Sequence, residues 1–167
     1  KIGLEVSNLK TYKTDVKNLK VAKIIDVKNH PNADKLNVCI IQFDEEQTQV
    51  VCGAPNVKLN KKYVFAPSGT YIGGIDLTLK KAVIRDVESN GMLCSEKELE
   101  ISDDHNGIIE LPECINLNEN VSNFLGIDDP IIEIEITPNR GDCLGVRGIA
   151  RDLSAFGIGE LLSLIHI

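Results

Sequence analysis

The chain has 167 residues, is 43% hydrophobic but only 4% aromatic, and contains no Trp, so it can bury one good core, or one domain plus part of another, built mainly from Ile, Val and Leu. Its net charge of −7 is split: residues 1–90 carry 14 Lys and Arg against 10 Asp and Glu (net +4), and residues 91–167 carry 4 against 15 (net −11). That excludes a uniformly basic nucleic-acid binder but leaves a basic half able to present a local field to phosphates, with weak and strongly salt-dependent binding as the expectation.

Residues 1–6 have no start Met and no helix cap and read as the tail of an element whose beginning is missing, and residues 8–18 read as a polar linker. From Leu19 to Val27 the alternation predicts a strand with Leu19, Val21, Ile25 and Val27 on one face and Lys20, Ala22 and Asp26 on the other, bent where Lys23 interrupts the apolar side. Next comes His30-Pro31-Asn32-Ala33-Asp34-Lys35-Leu36. Pro31 fixes φ and pushes His30 out of the helical region, and Asn32 and Asp34 favour turns by bonding their own backbone, so a polar loop between two strands is predicted. The second strand starts with Leu36, Val38 and Ile40 inward and slips phase to Ile41 and Phe43, the pattern of a bulge. Residues 44–47 make a hairpin turn and residues 48–52 return.

Residues 63–66 form a compact strand, residues 67–74 a turn-rich loop holding three glycines, and Leu77, Leu79, Val83 and Ile84 a further strand broken at Lys80-Lys81. Ser95 and Glu98 have the spacing of a capping box and predict a short helix. Residues 103–107 are a turn whose ligand types come from one loop, a poor geometry for a metal, so no metal site is expected. Residues 107–111 read as a strand, and residues 120–125 as a one-turn helix ended by Gly126. Ile132, Ile134 and Ile136 alternate with Glu133 and Glu135 as a strand with one wet face. Asp142 is a good N-cap for a helix with Val146, Ile149, Ala150 and Leu153 on one stripe, Arg147 and Arg151 beside it, and Gly157 as its stop. Arg140 is expected to pair with Glu133 or Glu135.

Five short strands with one candidate helix suit a small Greek-key barrel of the OB type, an inference that by itself names no ligand. The five cysteines (Cys39, Cys52, Cys94, Cys114, Cys143) are odd in number, widely separated and form no C-x-x-C pair. They read as reduced thiols filling the core of a cytoplasmic protein, against a disulfide framework or zinc site. No apolar run approaches the roughly 20 residues of a membrane span, nothing resembles a secretory signal, and no Gly-rich phosphate loop precedes a helix, so no membrane partner and no catalytic residue are expected.

On chemistry alone the His30–Leu36 stretch is a surface connection carrying one lysine. However, "HPNADKL", followed by "VVCGAPNV" and "RDVESNGMLCS", resembles the tRNA-binding OB domain appended to many aminoacyl-tRNA synthetases. "GLEVSNL" before it and "EITPNRGDCLGVRGIARDLSAFG" after it are similar to the segments flanking that OB insert in the β subunit of bacterial-type phenylalanyl-tRNA synthetases, with order and spacing agreeing over residues 1–158. The first motif is shared with other tRNA-binding appendages; the later ones are much more specific.

The resemblance implies a mainly β chain with an α+β part: a five-stranded OB-type barrel (residues 14–127) inserted into a small α+β domain. That domain is represented by the end of its first segment (residues 1–13, start missing) and its returning segment (residues 128–167). It also implies a cytoplasmic (αβ)2 ligase that joins phenylalanine to tRNA using ATP and Mg²⁺, with catalysis in the α subunit. The fragment itself is then expected to be inactive, cofactor-free and monomeric, with residues 159–167 departing from the usual continuation, either native or vector-derived. Carried over by position, the tRNA-facing residues are Asn32, Lys35, Arg85, Met92 and Ser95, extended by Lys80 and Lys81. Lys35, Lys80, Lys81 and Arg85 are expected to share one face, each with a solvated strand face as the alternative. For stacking, only Tyr63, Phe65 and Tyr71 are in reach. A free-standing tRNA-binding or chaperone-like OB protein and a structural brace without RNA contact are the rival readings.

Overall fold

Apolar and β-branched residues dominate residues 20–67, and the structure, a computed structural model that describes residues 3–127 and 129–162, turns this stretch into antiparallel sheet. In chain order the strands are β1 (Glu5–Lys10), β2 (Lys20–His30), β3 (Ala33–Phe43), β4 (Glu46–Cys52), β5 (Lys62–Pro67), β6 (Tyr71–Ile72), β7 (Leu77–Thr78), β8 (Ala82–Ile84), β9 (Val87–Ser89), β10 (Gly91–Leu93), β11 (Glu110–Leu111) and β12 (Ile131–Glu135). Two α-helices, α1 (Val121–Leu125) and α2 (Val146–Ala155), and 3-10 turns at Val16–Asn18, Gly73–Ile75 and Pro138–Cys143 complete the elements. The chain divides into two compact units, Tyr12–Asp129, and Lys1–Thr11 with Pro130–Ile167. None of these helices is long and apolar enough to cross a membrane.

The larger unit is built on a sheet of order β10-β5-β2-β3-β4, with β11 also beside β5. The sheet is open, but its outer strands approach: Asn90 N donates to Gln49 O (2.9 Å) and Val51 N to Ser89 Oγ (3.1 Å). Gly91, which starts β10, sits at φ 137, where an added Cβ would meet Ala66 O at 2.5 Å and the Phe65 ring at 2.6 Å; only glycine lets β10 lie this close to β5.

Both faces of β2 and β5 are covered. Val21, Val64 and Ala66 face one apolar cluster with Leu19 and Ile72, while Ala22, Ile24, Tyr63 and Phe65 face a second with Ile41. This corrects the predicted phases. Ala22 and Ile24 are fully buried and Ile25 is the extra residue of a register shift between Ile24 and Asp26, so the irregularity expected at Ile40–Ile41 of β3 lies instead on the facing stretch of β2. On β3 it is Cys39 and Ile41 that point inward, with Leu36, Val38 and Ile40 half-buried. A strand buried on both faces, as β2 is, does not alternate cleanly in sequence, so periodicity does not reveal its inward side.

Other expectations change in detail. The predicted linker contains Asn8 to Lys10 of β1, which pairs with β12 in the smaller unit. The strand expected at 107–111 shortens to Glu110–Leu111. Ser95 N and Oγ both donate to Glu98 Oε2 (2.6 and 2.8 Å), yet no helix follows: residues 96–100 are turns, ended by Glu100 at φ 60. By contrast, Asn120 caps α1 by accepting from Ser122 N, and Gly126 closes it at φ 67, as the sequence predicts. In the smaller unit Gly145, not Asp142, precedes α2, because the Asp142 carboxylate is drawn to Arg140 and Arg151. Arg140 pairs with Asp142 and Asp152 rather than with Glu133 or Glu135. Gly157, at φ 85, follows the end of α2.

Candidate nucleic-acid interface

The His30–Leu36 stretch is not a loose loop. His30 pairs with Ala33 across a tight Pro31-Asn32 turn, and Asp34 to Leu36 then bulge out of β3 before Asn37 resumes the ladder with Asn29. His30 is buried although its neighbours are exposed. Its Nδ1 accepts from Asn32 N at 3.0 Å, so in the neutral ring the proton sits on Nε2, which lies 3.0 Å from Ile84 O and donates to it. Asn32 Nδ2 donates to Arg85 O (3.1 Å) and to Asp86 Oδ2 (3.2 Å), and Arg85 Nη1 donates back to Asn32 O (3.2 Å). Four hydrogen bonds thus fasten the tip of β2–β3 to the β8–β9 turn. In that turn Arg85 (φ 46) and Asp86 (φ 72) are both left-handed, as a two-residue type I′ hairpin turn requires.

The structure therefore brings Asn32 and Arg85 together. Lys80 and Lys81, both exposed, lead into β8 from the buried Leu79, and Lys81 borders a hollow of about 300 Å³ with Val83, Glu88 and Asn90. Lys35 is exposed on the β3 bulge, with its backbone carbonyl beside Gly53. Unlike Lys20, Lys28 and Lys61, which pair with Asp44, Asp26 and Glu110 or Glu113, Lys35, Lys80 and Lys81 are exposed and make no ion pair among the described residues. Asp86 beside Arg85, and Glu88 beside Lys81, keep the local field mixed.

Met92 and Ser95 belong to a different feature, a cleft of about 360 Å³ whose apolar lining includes Cys52, Pro55, Leu93 and Ile108. Ser95 is buried there, with Oγ donating to Glu98 Oε2 (2.8 Å) and lying 3.2 Å from His105 Nδ1. Glu98 and His105 were not singled out by sequence as site residues. The Ser95–Glu98 spacing was the available signal, and it read as a helix start. The aromatic candidates are largely withdrawn: Tyr63 and Phe65 are fully buried, and Tyr63 OH donates to Asn56 O (2.7 Å) while accepting from Lys58 N (3.1 Å). Tyr71 is half-buried with its hydroxyl on Asp76 (2.5 Å). Two of the three rings are closed to stacking on a base.

The cysteines are unbridged, with Cys39, Cys52, Cys94 and Cys143 buried and Cys114 exposed. Burial pushes the Cys39 thiol up to about 12 and raises Cys94 further, so both are inert at neutral pH. One group of three possible metal ligands occurs among the described residues, Asp142, Cys143 and Asp152. Both of its carboxylates are bound by the Arg140 and Arg151 guanidinium groups, which hold them well below the usual carboxylate range. Mg²⁺ prefers several waters and unencumbered carboxylate oxygens; a thiol and two arginine-paired carboxylates do not fit it.

A family model described as "Putative tRNA binding domain" matches residues 19–120. The phenylalanine--tRNA ligase beta subunit of Gluconobacter oxydans is 48% identical over 162 residues, covering 96% of this chain and 20% of the relative. The subunit of the same name from Cereibacter sphaeroides is 50% identical over 152 residues, covering 87% and 19%. The chain thus spans about a fifth of the length of these curated relatives. Among solved structures, a MetRS-related protein from Pyrococcus horikoshii is 22% identical with a TM-score of 0.45, covering 62% of this chain and 87% of that one. With the model spanning the sheet, the His30–Asn32 turn and the β8–β9 hairpin alike, the chain belongs to the tRNA-binding domain family.

Proposed function

We propose that residues 14–127 form an OB-type domain that holds tRNA weakly, through phosphate and backbone contacts at Asn32, Lys35, Lys80, Lys81 and Arg85. Met92 and Ser95 contribute at the neighbouring cleft. Residues 1–13 and 128–167 are then parts of a small α+β domain into which this domain is inserted. The observation that carries the reading is the fastening of Arg85 to the Asn32 turn, which presents on one ordered surface a guanidinium for a phosphate and the Asn32 side-chain oxygen as an acceptor for a 2′-hydroxyl or base amino group. With both fully buried aromatics withdrawn, shape and backbone recognition is favoured over base stacking.

The names of relatives that match most of this chain support reading it as part of the β subunit of a phenylalanine--tRNA ligase. On that reading the whole protein is cytoplasmic, works with an α subunit in an (αβ)2 assembly, and draws on ATP and Mg²⁺ bound outside this chain. The 167-residue chain alone should be monomeric and should not catalyse phenylalanine-dependent ATP–pyrophosphate exchange. The apolar stretch 161–167, a source of stickiness in the sequence, lies partly outside the described residues.

A mobility shift with a tRNA transcript across a salt series tests the binding. A shift at about 50 mM salt that fades by about 200 mM is expected for a few phosphate contacts. No shift at the lowest salt would favour the second reading, a brace between protein surfaces, which the net charge of −11 over residues 91–167 supports.

A further inference from the structure

We propose that His30 is a positioning residue, whose hydrogen bond to Ile84 O holds the β8–β9 turn so that the Arg85 guanidinium is ordered for a phosphodiester before RNA arrives. The inference rests on the reading of Arg85 as an RNA contact and adds the residue that makes it effective.

An imidazole that only filled space between two strands would be replaceable by an apolar side chain, yet the 4%-exposed ring of His30 uses both of its nitrogens, one within its own turn and one on a carbonyl 54 positions away. The turn it reaches needs holding. Arg85 and Asp86 both carry side chains at positive φ, a conformation that β-carbons disfavour and that neighbouring bonds must secure. The Asn32 amide secures the Arg85 carbonyl and the Asp86 carboxylate. His30 secures Ile84 immediately before them.

The consequence falls on the guanidinium. One of its five N–H groups is spent on Asn32 O, which fixes the plane of the fork, and four remain for an anion. Ordering that long side chain in advance removes the entropy loss that RNA binding would otherwise carry. The charged group hydrogen-bonded into this turn is Asp86, whose carboxylate accepts from Asn32 Nδ2.

Two conservative replacements separate the bonds that His30 makes. A glutamine amide nitrogen falls near the position of Nε2, and an asparagine amide oxygen near that of Nδ1. His30→Gln therefore keeps the reach to Ile84 O, and His30→Asn keeps only the local bond to Asn32 N. The test is tRNA-transcript affinity by fluorescence anisotropy at low salt on the 167-residue chain, with amide exchange of residues 84–87 read on the same proteins.

Arg85→Ala should weaken binding about fivefold. His30→Asn should weaken it by a similar factor and speed exchange at Arg85 and Asp86, and the double variant should bind no worse than Arg85→Ala alone. His30→Gln should restore affinity to within about twofold of wild type. If His30→Asn does not fold, His30→Leu, which fills the space but makes neither bond, should show the same loss and the same non-additivity. Positioning is overturned, with the RNA reading intact, if Arg85→Ala weakens binding while His30→Asn does not. Losses that multiply in the double variant, or a His30→Gln no better than His30→Asn, overturn it equally. If Arg85→Ala leaves affinity unchanged, the RNA reading falls and the inference with it.

Discussion

In the larger unit Tyr63, Phe65, Ile24 and Ile41 are fully buried against one another, and a second cluster around Val64 and Leu19 closes the opposite face of the same sheet. In the smaller unit every residue of β1 is exposed, and the buried residues among those described are Cys143 and Gly148. What organises the smaller unit is charge. Arg140 and Arg151 bridge Asp142 and Asp152, binding the 138–143 turn to α2. Gly148 lets the helix approach so closely that a Cβ there would collide with Asp142 O. Apolar burial is indifferent to salt screening and to mild acid, whereas partly exposed ion pairs answer to both. The two units should therefore fail under different conditions.

Emptying the larger core should have the largest effect. Phe65→Ala removes a fully buried ring in tilted contact with Phe43 (centroids 4.9 Å apart) and should cost about 3–5 kcal/mol in denaturant unfolding. Tyr63→Phe keeps the ring but strands Asn56 O and Lys58 N, a loss of about 1–3 kcal/mol by the same measurement.

Acid should separate the units. Arginine, first Arg140 and then Arg151, depresses the Asp142 and Asp152 carboxyls below their unfolded values. Their contribution is present in full above the unfolded value of about 4, and drains away as pH falls below it through the lower folded values. Amide exchange should therefore rise in α2 below about pH 4 while β5 stays protected. Equal loosening of both would erase the contrast. Smallest is Arg147→Ala: Arg147 is exposed on α2, and its removal should shift stability by less than about 0.5 kcal/mol.

How far the sequence could be read follows from the same contrast. Local chemistry was legible where it acts alone: the Asn120 cap and Gly126 stop of α1, the return of β4 after the Asp44 turn, the cysteines as core filler, four of the five being buried. Phase was not legible in β2, because a strand covered on both faces presents apolar residues without alternation, nor in β3, where Leu36, Val38 and Ile40 are apolar yet half-buried. Pairing at a distance was not legible either. Nothing in residues 30–36 announces that His30 and Asn32 close on Ile84 and Arg85, and nothing near Arg140 points to Asp152 over Glu133. Of the proposed contacts, Asn32 and Arg85 meet, Lys35 stands on a bulge, and Met92 and Ser95 line a separate cleft. A list of residue types carries no such grouping.

The central claim, that RNA affinity lives at the Asn32–Arg85 turn, is tested most directly by the salt dependence of tRNA binding for Arg85→Ala beside Arg147→Ala. Each replacement removes one exposed arginine, so net charge changes equally and only position differs. The account predicts that Arg85→Ala costs about 1 kcal/mol and flattens the slope of log K against log salt by about one unit, while Arg147→Ala leaves both unchanged. Equal effects from the two, or none from either, would contradict it.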